Sequence, residues 1–153
     1  MISMNKELCN ECGGKLFNGK VCRDYFEEMI TWDFEDFLGA GRVHHLTVLC
    51  YGLQHPSSYS KKGLEDAKEF LVEFVVKNSS FQEHDMRNRE RLSSDVRKWK
   101  ITGTPEDHGA YATAPQWTVH ASDIATLGKE GYEARVQSWA ESVYKDLEKT
   151  GNL

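Results

Sequence analysis

Apolar positions along the chain recur mostly at intervals of three and four, the spacing that puts side chains on one face of an α-helix. The clearest stripe is Leu64, Ala67, Phe70, Leu71, Phe74 and Val75, preceded by Ser60, a residue type that caps helix N-termini. From Val21 to Leu38, Phe26, Met29, Ile30 and Phe37 follow near-helical spacing with Tyr25 and Trp32 beside them, and Gly39-Ala40-Gly41 supplies a stop. The outer face of this first helix reads as acidic, because Asp24, Glu27, Glu28, Asp33, Glu35 and Asp36 fall within it. Arg42 to His55 carries Leu46, Val48, Leu49, Tyr51 and Leu53; its β-branched residues permit a strand. Its length and Pro56 predict instead a helix that closes at or before His55. A weaker pattern predicts a helix over Glu83 to Lys100, interrupted by Ser93-Ser94. Tyr132, Val136, Trp139, Ala140, Val143 and Leu147 predict a last one over Gly131 to Lys149.

Two stretches lack this periodicity. Residues 1–20 hold Gly13, Gly14 and Gly19 among short polar positions, a composition suited to tight turns. Between Ile101 and Lys129, Gly103, Pro105, Gly109 and Pro115 punctuate an ordered loop with a short turn at Thr104-Pro105. The fold class expected is mainly α, a helical bundle with a glycine-rich, zinc-knuckle-like N-terminal loop. At 153 residues the chain is one domain's length. Its parts are a metal-binding loop (1–20), a helical region (21–100), an ordered loop (101–130) and a C-terminal helix (131–149).

Composition narrows the function classes. Nineteen Lys and Arg against 24 Asp and Glu give a net charge of -5, which disfavours a nucleic-acid surface over the whole molecule. The run Arg87 to Lys100 is locally basic and includes Trp99; a solvated helix face is the commoner meaning of such a run, and contact with nucleic acid or an acidic partner the sharper one. The apolar stretch Phe70 to Val76 carries Glu73 and is far short of the ~20 residues that span a bilayer. No basic flank followed by an apolar run marks the first residues as a secretory signal, so the cytoplasm is the expected compartment. There structural disulfides are disfavoured, and the four cysteines need another explanation.

Three of them, Cys9, Cys12 and Cys22, fall within 22 residues. Cys9-Asn10-Glu11-Cys12-Gly13-Gly14 is a C-x2-C pair followed by glycines, which lets both thiolates face one cation while the following amides turn inward. A redox dithiol would more commonly follow a strand and open a helix. If the ion is Zn2+, a closed tetrahedral site needs two more ligands. Cys22 starts the first helix and is the obvious third. For the fourth, the two first helices form an antiparallel pair about the turn near Ala40, and Cys22 and His55 then differ by only about 4.5 Å in level at ~1.5 Å per residue. The expected set is Cys9, Cys12, Cys22 and His55; the blander role for His55 is to close the helix before Pro56. Cys50, embedded in apolar sequence, reads as a buried core thiol.

His44 and His45 lie near the turn end of the hairpin, far from the cysteines. One of them shares the side of Tyr51 and His55, and the other is expected to be partly exposed. His44 could meet Trp32, Glu35 or Asp36, and a His with a carboxylate is the raw material of acid–base chemistry, though more often a structural hydrogen bond. His84, His108 and His120 are scattered. Common enzyme signatures, including H-E-x-x-H, G-x-S-x-G and phosphate-binding glycine loops, are absent.

Cys9-x2-Cys12-Gly13, Cys22, Val43-His44-His45-Leu46-Thr47-Val48 and Tyr51-Gly52-Leu53-Gln54-His55-Pro56 together resemble an uncharacterised bacterial family carried as a domain of unknown function. Trp117-Thr118-Val119 and Ser138-Trp139-Ala140-Glu141-Ser142-Val143 are similar to its ending. The resemblance implies that His44 and His55 are special without giving their job. Cys50 departs from the acidic residue associated with that place in many members. Two functions are expected: a zinc-stabilised binding or regulatory module with a protein or small-molecule partner, or a metal-dependent, hydrolase-like enzyme using His44 or His45 near the acidic helix.

Overall fold

A computed structural model describes residues 7–35, 43–77, 83, 86 and 100–153. It is mainly helical, with one small sheet. The chain enters through an antiparallel pair of two-residue strands, β1 (Glu7–Leu8) and β2 (Lys15–Leu16), with Leu8 opposite Lys15. The segment between them closes on itself: the Cys9 N–H donates to the Gly14 carbonyl and the Gly13 N–H to the Cys9 carbonyl, both at 2.9 Å. Gly13 takes φ +78°, a left-handed conformation that suits glycine.

Helix α1 (Cys22–Glu35) begins where the Asp24 carboxylate accepts the Val21 N–H at 2.8 Å. Its buried residues are Cys22, Tyr25, Phe26, Met29 and Asp33, one stripe at helical spacing. Asp33 therefore belongs to the inner face, not to the acidic outer face that its charge suggests. Helix α2 (His44–Gln54) is buried on most sides, through His45, Leu46, Thr47, Leu49, Cys50, Leu53 and Gln54. It stops at His55, whose backbone leaves the helical region (φ -129°, ψ 67°) before Pro56 and a 3-10 turn, Pro56–Ser58. Cys50 is a core thiol, fully buried, and burial pushes its pKa up.

Helix α3 (Lys61–Val75) is capped by Ser60, whose hydroxyl accepts the Gly63 N–H at 3.0 Å. The Gly39–Ala40–Gly41 stop, and all of the helix expected over Glu83 to Lys100 except Glu83, Met86 and Lys100, lie outside the described residues.

The stretch expected as a loop over 101–130 also contains a short helix, α4 (Ala121–Ala125). Side chains order the rest. Asp146 accepts both the Thr118 N–H (2.8 Å) and the Thr118 hydroxyl (2.9 Å), and the Gln54 amide donates to the Val119 carbonyl at 2.6 Å. Asp107 N–H donates to the Thr104 carbonyl, closing the turn that begins at Thr104-Pro105. Helix α5 (Tyr132–Lys149) buries Tyr132, Val136, Trp139, Ala140, Val143 and Leu147 against α2, α3 and α4, while α1 packs on α2 and α4. Helix α2 is thus the axis of the core, and both its ends face α1. No helix among the described residues is long and apolar enough to cross a membrane.

Candidate metal centre

Contacts between α1 and α2 run antiparallel. Phe26 stacks on Tyr51 with ring centroids 4.2 Å apart, and Asp33 meets His44. This register sets Cys22, at the start of α1, beside His55, just past the end of α2. The loop between β1 and β2 folds over the same end, tied down by Glu11, whose carboxylate accepts the Ser57 N–H at 2.9 Å. Four ligand atoms converge as a result: the sulfurs of Cys9, Cys12 and Cys22 and a ring nitrogen of His55 all lie within 4.8 Å of one another and could hold a metal ion.

The geometry within the group is specific. Cys12 and Cys22 Sγ are 3.8 Å apart, and Cys9 Sγ is 3.5 Å from Nε2 of His55. The other ring nitrogen of His55, Nδ1, faces the Tyr51 carbonyl at 2.7 Å. The carbonyl holds a proton on Nδ1, which turns Nε2, the atom a cation would take, toward the sulfurs. The Tyr51 ring stacks on the imidazole at 4.1 Å and also on Phe26, so the histidine is gripped by its face as well as by its edge. The Gly14 N–H donates to Cys12 Sγ at 3.3 Å, placing a dipole that favours thiolate.

Electrostatics within the cluster follow from this packing. The hydrogen bond from Cys22 holds the Cys12 thiol down at about 4 against the opposing effect of burial, with His55 and the Gly14 amide adding to the fall. Cys22 moves the opposite way, raised by that same neighbour and by burial. For His55, burial disfavours the charged ring, yet the hydrogen bonds with Cys12, the Tyr51 carbonyl and Cys9 outweigh it and raise the group to about 9. Cys12 is thus the thiol of the pair that ionises more readily, beside an imidazole that balances its charge.

One neighbour was invisible in the sequence. Gly14 packs against His120 at the start of α4: a Cβ on Gly14 would sit 2.9 Å from His120 Cβ and 3.3 Å from Cys12 Sγ. His120 is fixed in turn, its N–H donating to Asp123 at 2.9 Å. Gly14→Ala is expected to force the loop off α4 and to weaken metal retention by about tenfold or more, as disturbing the groups around a metal's ligands commonly does. Competition with a chromophoric chelator measures it, and unchanged retention would show that the contact yields freely.

His44 and His45 are not part of the cluster; they start α2, about 16 Å along the helix from His55. His44 meets Asp33 and the ring of Phe34, because Asp33 is the carboxylate that α1 turns inward; of the partners expected from sequence, Asp36 lies outside the described residues. The exposure of the pair is also the reverse of expectation: His44, on the side of Tyr51, is the partly exposed one, and His45 is buried. Helix α2 is covered on the His45 side by the core, which the hairpin alone could not reveal.

A family profile described as a family of unknown function, DUF5946, matches residues 7–148. The chain belongs to that family. No curated protein and no solved structure matches it. All four cluster residues of this DUF5946 member fall within the matched span, as do His44 and Asp33.

Proposed function

We propose that Cys9, Cys12, Cys22 and His55 bind one zinc ion in a closed, structural Cys3His site, and that the protein is a zinc-stapled helical module that binds or regulates a protein or small-molecule partner. The observation that carries this reading is the convergence of four protein ligand atoms, three thiol and one imidazole, within 4.8 Å. Tetrahedral zinc with Zn–S near 2.3 Å and Zn–N near 2.0 Å has ligand–ligand edges of about 3.8 Å for S···S and about 3.5 Å for S···N. The Cys12–Cys22 and Cys9–His55 separations are 3.8 and 3.5 Å. Soft sulfur donors with one imidazole suit zinc better than magnesium or calcium, which take oxygen.

Four protein ligands fill a tetrahedral shell, whereas hydrolytic zinc keeps one position for water. The bound ion supplies cross-linking: it joins the glycine-turn loop, the first turn of α1 and the end of α2, much as a zinc knuckle holds its strands. Net charge of -5 favours a partner other than nucleic acid.

The test is metal content per chain in protein purified without added metal, together with the visible spectrum after cobalt replacement. One zinc per chain and the intense bands of tetrahedral thiolate-bound cobalt are expected. Absence of stoichiometric metal, or a spectrum of five- or six-coordinate cobalt, would overturn the closed site.

A further inference from the structure

Near the other end of the α1–α2 pair a buried carboxylate organises a second polar group. Asp33 is 2% exposed. Its Oδ2 lies 2.8 Å from Nδ1 of His44, and its Oδ1 accepts a hydrogen bond from the Tyr132 hydroxyl at 3.0 Å. That hydroxyl also meets Thr47 Oγ1 at 2.6 Å. Tyr132 has a single proton; when it goes to Asp33, the short contact with Thr47 needs the Thr47 proton, which the Val43 carbonyl at 3.2 Å also competes for. Donors reach Asp33 from two sides, Tyr132 on one and His44 on the other. Three helices hold this carboxylate: α1 carries it, α5 brings Tyr132, and α2 brings Thr47 and His44.

With Asp33 accepting at Nδ1, His44 is held in one orientation and one tautomer, and Nε2 is the atom turned away from the carboxylate. The His44 side chain is 38% exposed. Apolar groups flank it: the Phe34 ring lies 5.5 Å from the imidazole and is 70% exposed, and Val48, one helical turn on, is 39% exposed. Among the described residues, His44 makes its ion pair with Asp33 alone, and no hydroxyl or thiol is hydrogen-bonded to its Nε2. A base placed this way acts on water or on a bound molecule rather than on a side-chain nucleophile. The buried charge of Asp33, with no lysine or arginine paired to it among the described residues, disfavours an anionic substrate such as a phosphoester.

We propose that His44 is the general base of a second, metal-independent site that hydrolyses neutral carboxylic esters with an apolar acyl group resting on Phe34 and Val48. Nε2 takes a proton from a water as the water oxygen bonds to the ester carbonyl carbon. The carbon–oxygen bond to the alcohol then breaks, and the imidazolium returns the proton to the departing oxygen. One ester and one water give one carboxylic acid and one alcohol, and His44 ends neutral. Asp33 is a positioning residue: it fixes the ring and stabilises the transient imidazolium without touching substrate.

The probe is p-nitrophenyl butyrate, assayed with the full, metal-loaded chain. Saturable hydrolysis above the buffer rate is expected. His44→Gln should lower kcat by about 100-fold or more, the usual scale of a lost general base. Asp33→Asn should lower kcat to a similar extent with little change in KM, while Phe34→Ala should raise KM and spare kcat. His108→Gln, at a histidine whose Nδ1 faces the Gly109 carbonyl, should change neither. Circular dichroism separates loss of fold from loss of base; if Asp33→Asn does not fold, the His44→Gln and Phe34→Ala results decide. Hydrolysis no faster than buffer, a His44→Gln protein that keeps half the rate, or an equal loss in His108→Gln would overturn the site. None of its residues belongs to the metal centre, so its failure leaves the zinc reading standing, and the reverse.

Discussion

Chelation of the metal at neutral pH is expected to abolish the cooperative unfolding transition. Structural zinc sites carry roughly 10 to 16 kcal/mol of apparent binding free energy, against a whole-domain stability of about 5 to 15 kcal/mol. The proposed ion would sit where three segments meet: the loop with Cys9 and Cys12, the first turn of α1 with Cys22, and the end of α2 with His55. Without it a thiolate at Cys12, a protonated Cys22 and a charged His55 remain packed together, and burial disfavours every charge among them. Cys22→Ser should behave like the chelated wild type. Cys50→Ser, in the core but outside the cluster, should keep its metal and lose only packing, at a cost of about 1–3 kcal/mol. Thermal melts with and without chelator read the difference. A wild-type protein that melts identically in both would sink the staple.

Trp139→Ala should cost about 3–5 kcal/mol, the range for emptying a large aromatic site. Trp139 is fully buried on α5, among the largest side chains of the core. For a chain of this length that loss lowers Tm by roughly 2–4 °C per kcal/mol. Trp139→Phe should be far milder, about 1 kcal/mol, because the indole Nε1–H meets no acceptor among the described residues and its removal leaves no orphan. Urea midpoints at constant m-value test both. A phenylalanine variant as unstable as the alanine one would show that the indole N–H has a partner, such as a buried water.

Much of the architecture could be read from apolar spacing, and the reasons it stopped short are local. The stripe from Leu64 to Val75 and the α5 stripe are amphipathic, so one face announces itself. The convergence of Cys22 and His55 followed from helix rise and an antiparallel turn, which needs no side-chain detail. The acidic residues on both sides of Asp33 make an outer face the simple inference, and the structure turns it inward. Its spacing of seven from Phe26 and four from Met29 was the available signal that it joins the buried stripe. The burial of His45 is not legible in the sequence because α2 is surrounded by α1, α3 and α5, and a helix buried on most sides has no single periodic face to read. Helix α4 is five residues long, too short for a period to show, and its contact with Gly14 joins positions more than a hundred residues apart.

The order of the four cluster residues along the chain has a consequence for biosynthesis. Cys9, Cys12 and Cys22 leave the ribosome as one short segment, and His55 follows thirty-three residues later. At about 5–20 residues per second, that interval lasts roughly two to seven seconds. If the proposed site binds its ion, three of the four ligands would thus be available to it before either α2 or the core exists. His55 would complete the set only as α2 forms, so the end of that helix would dock on cysteines already gathered at the start of α1.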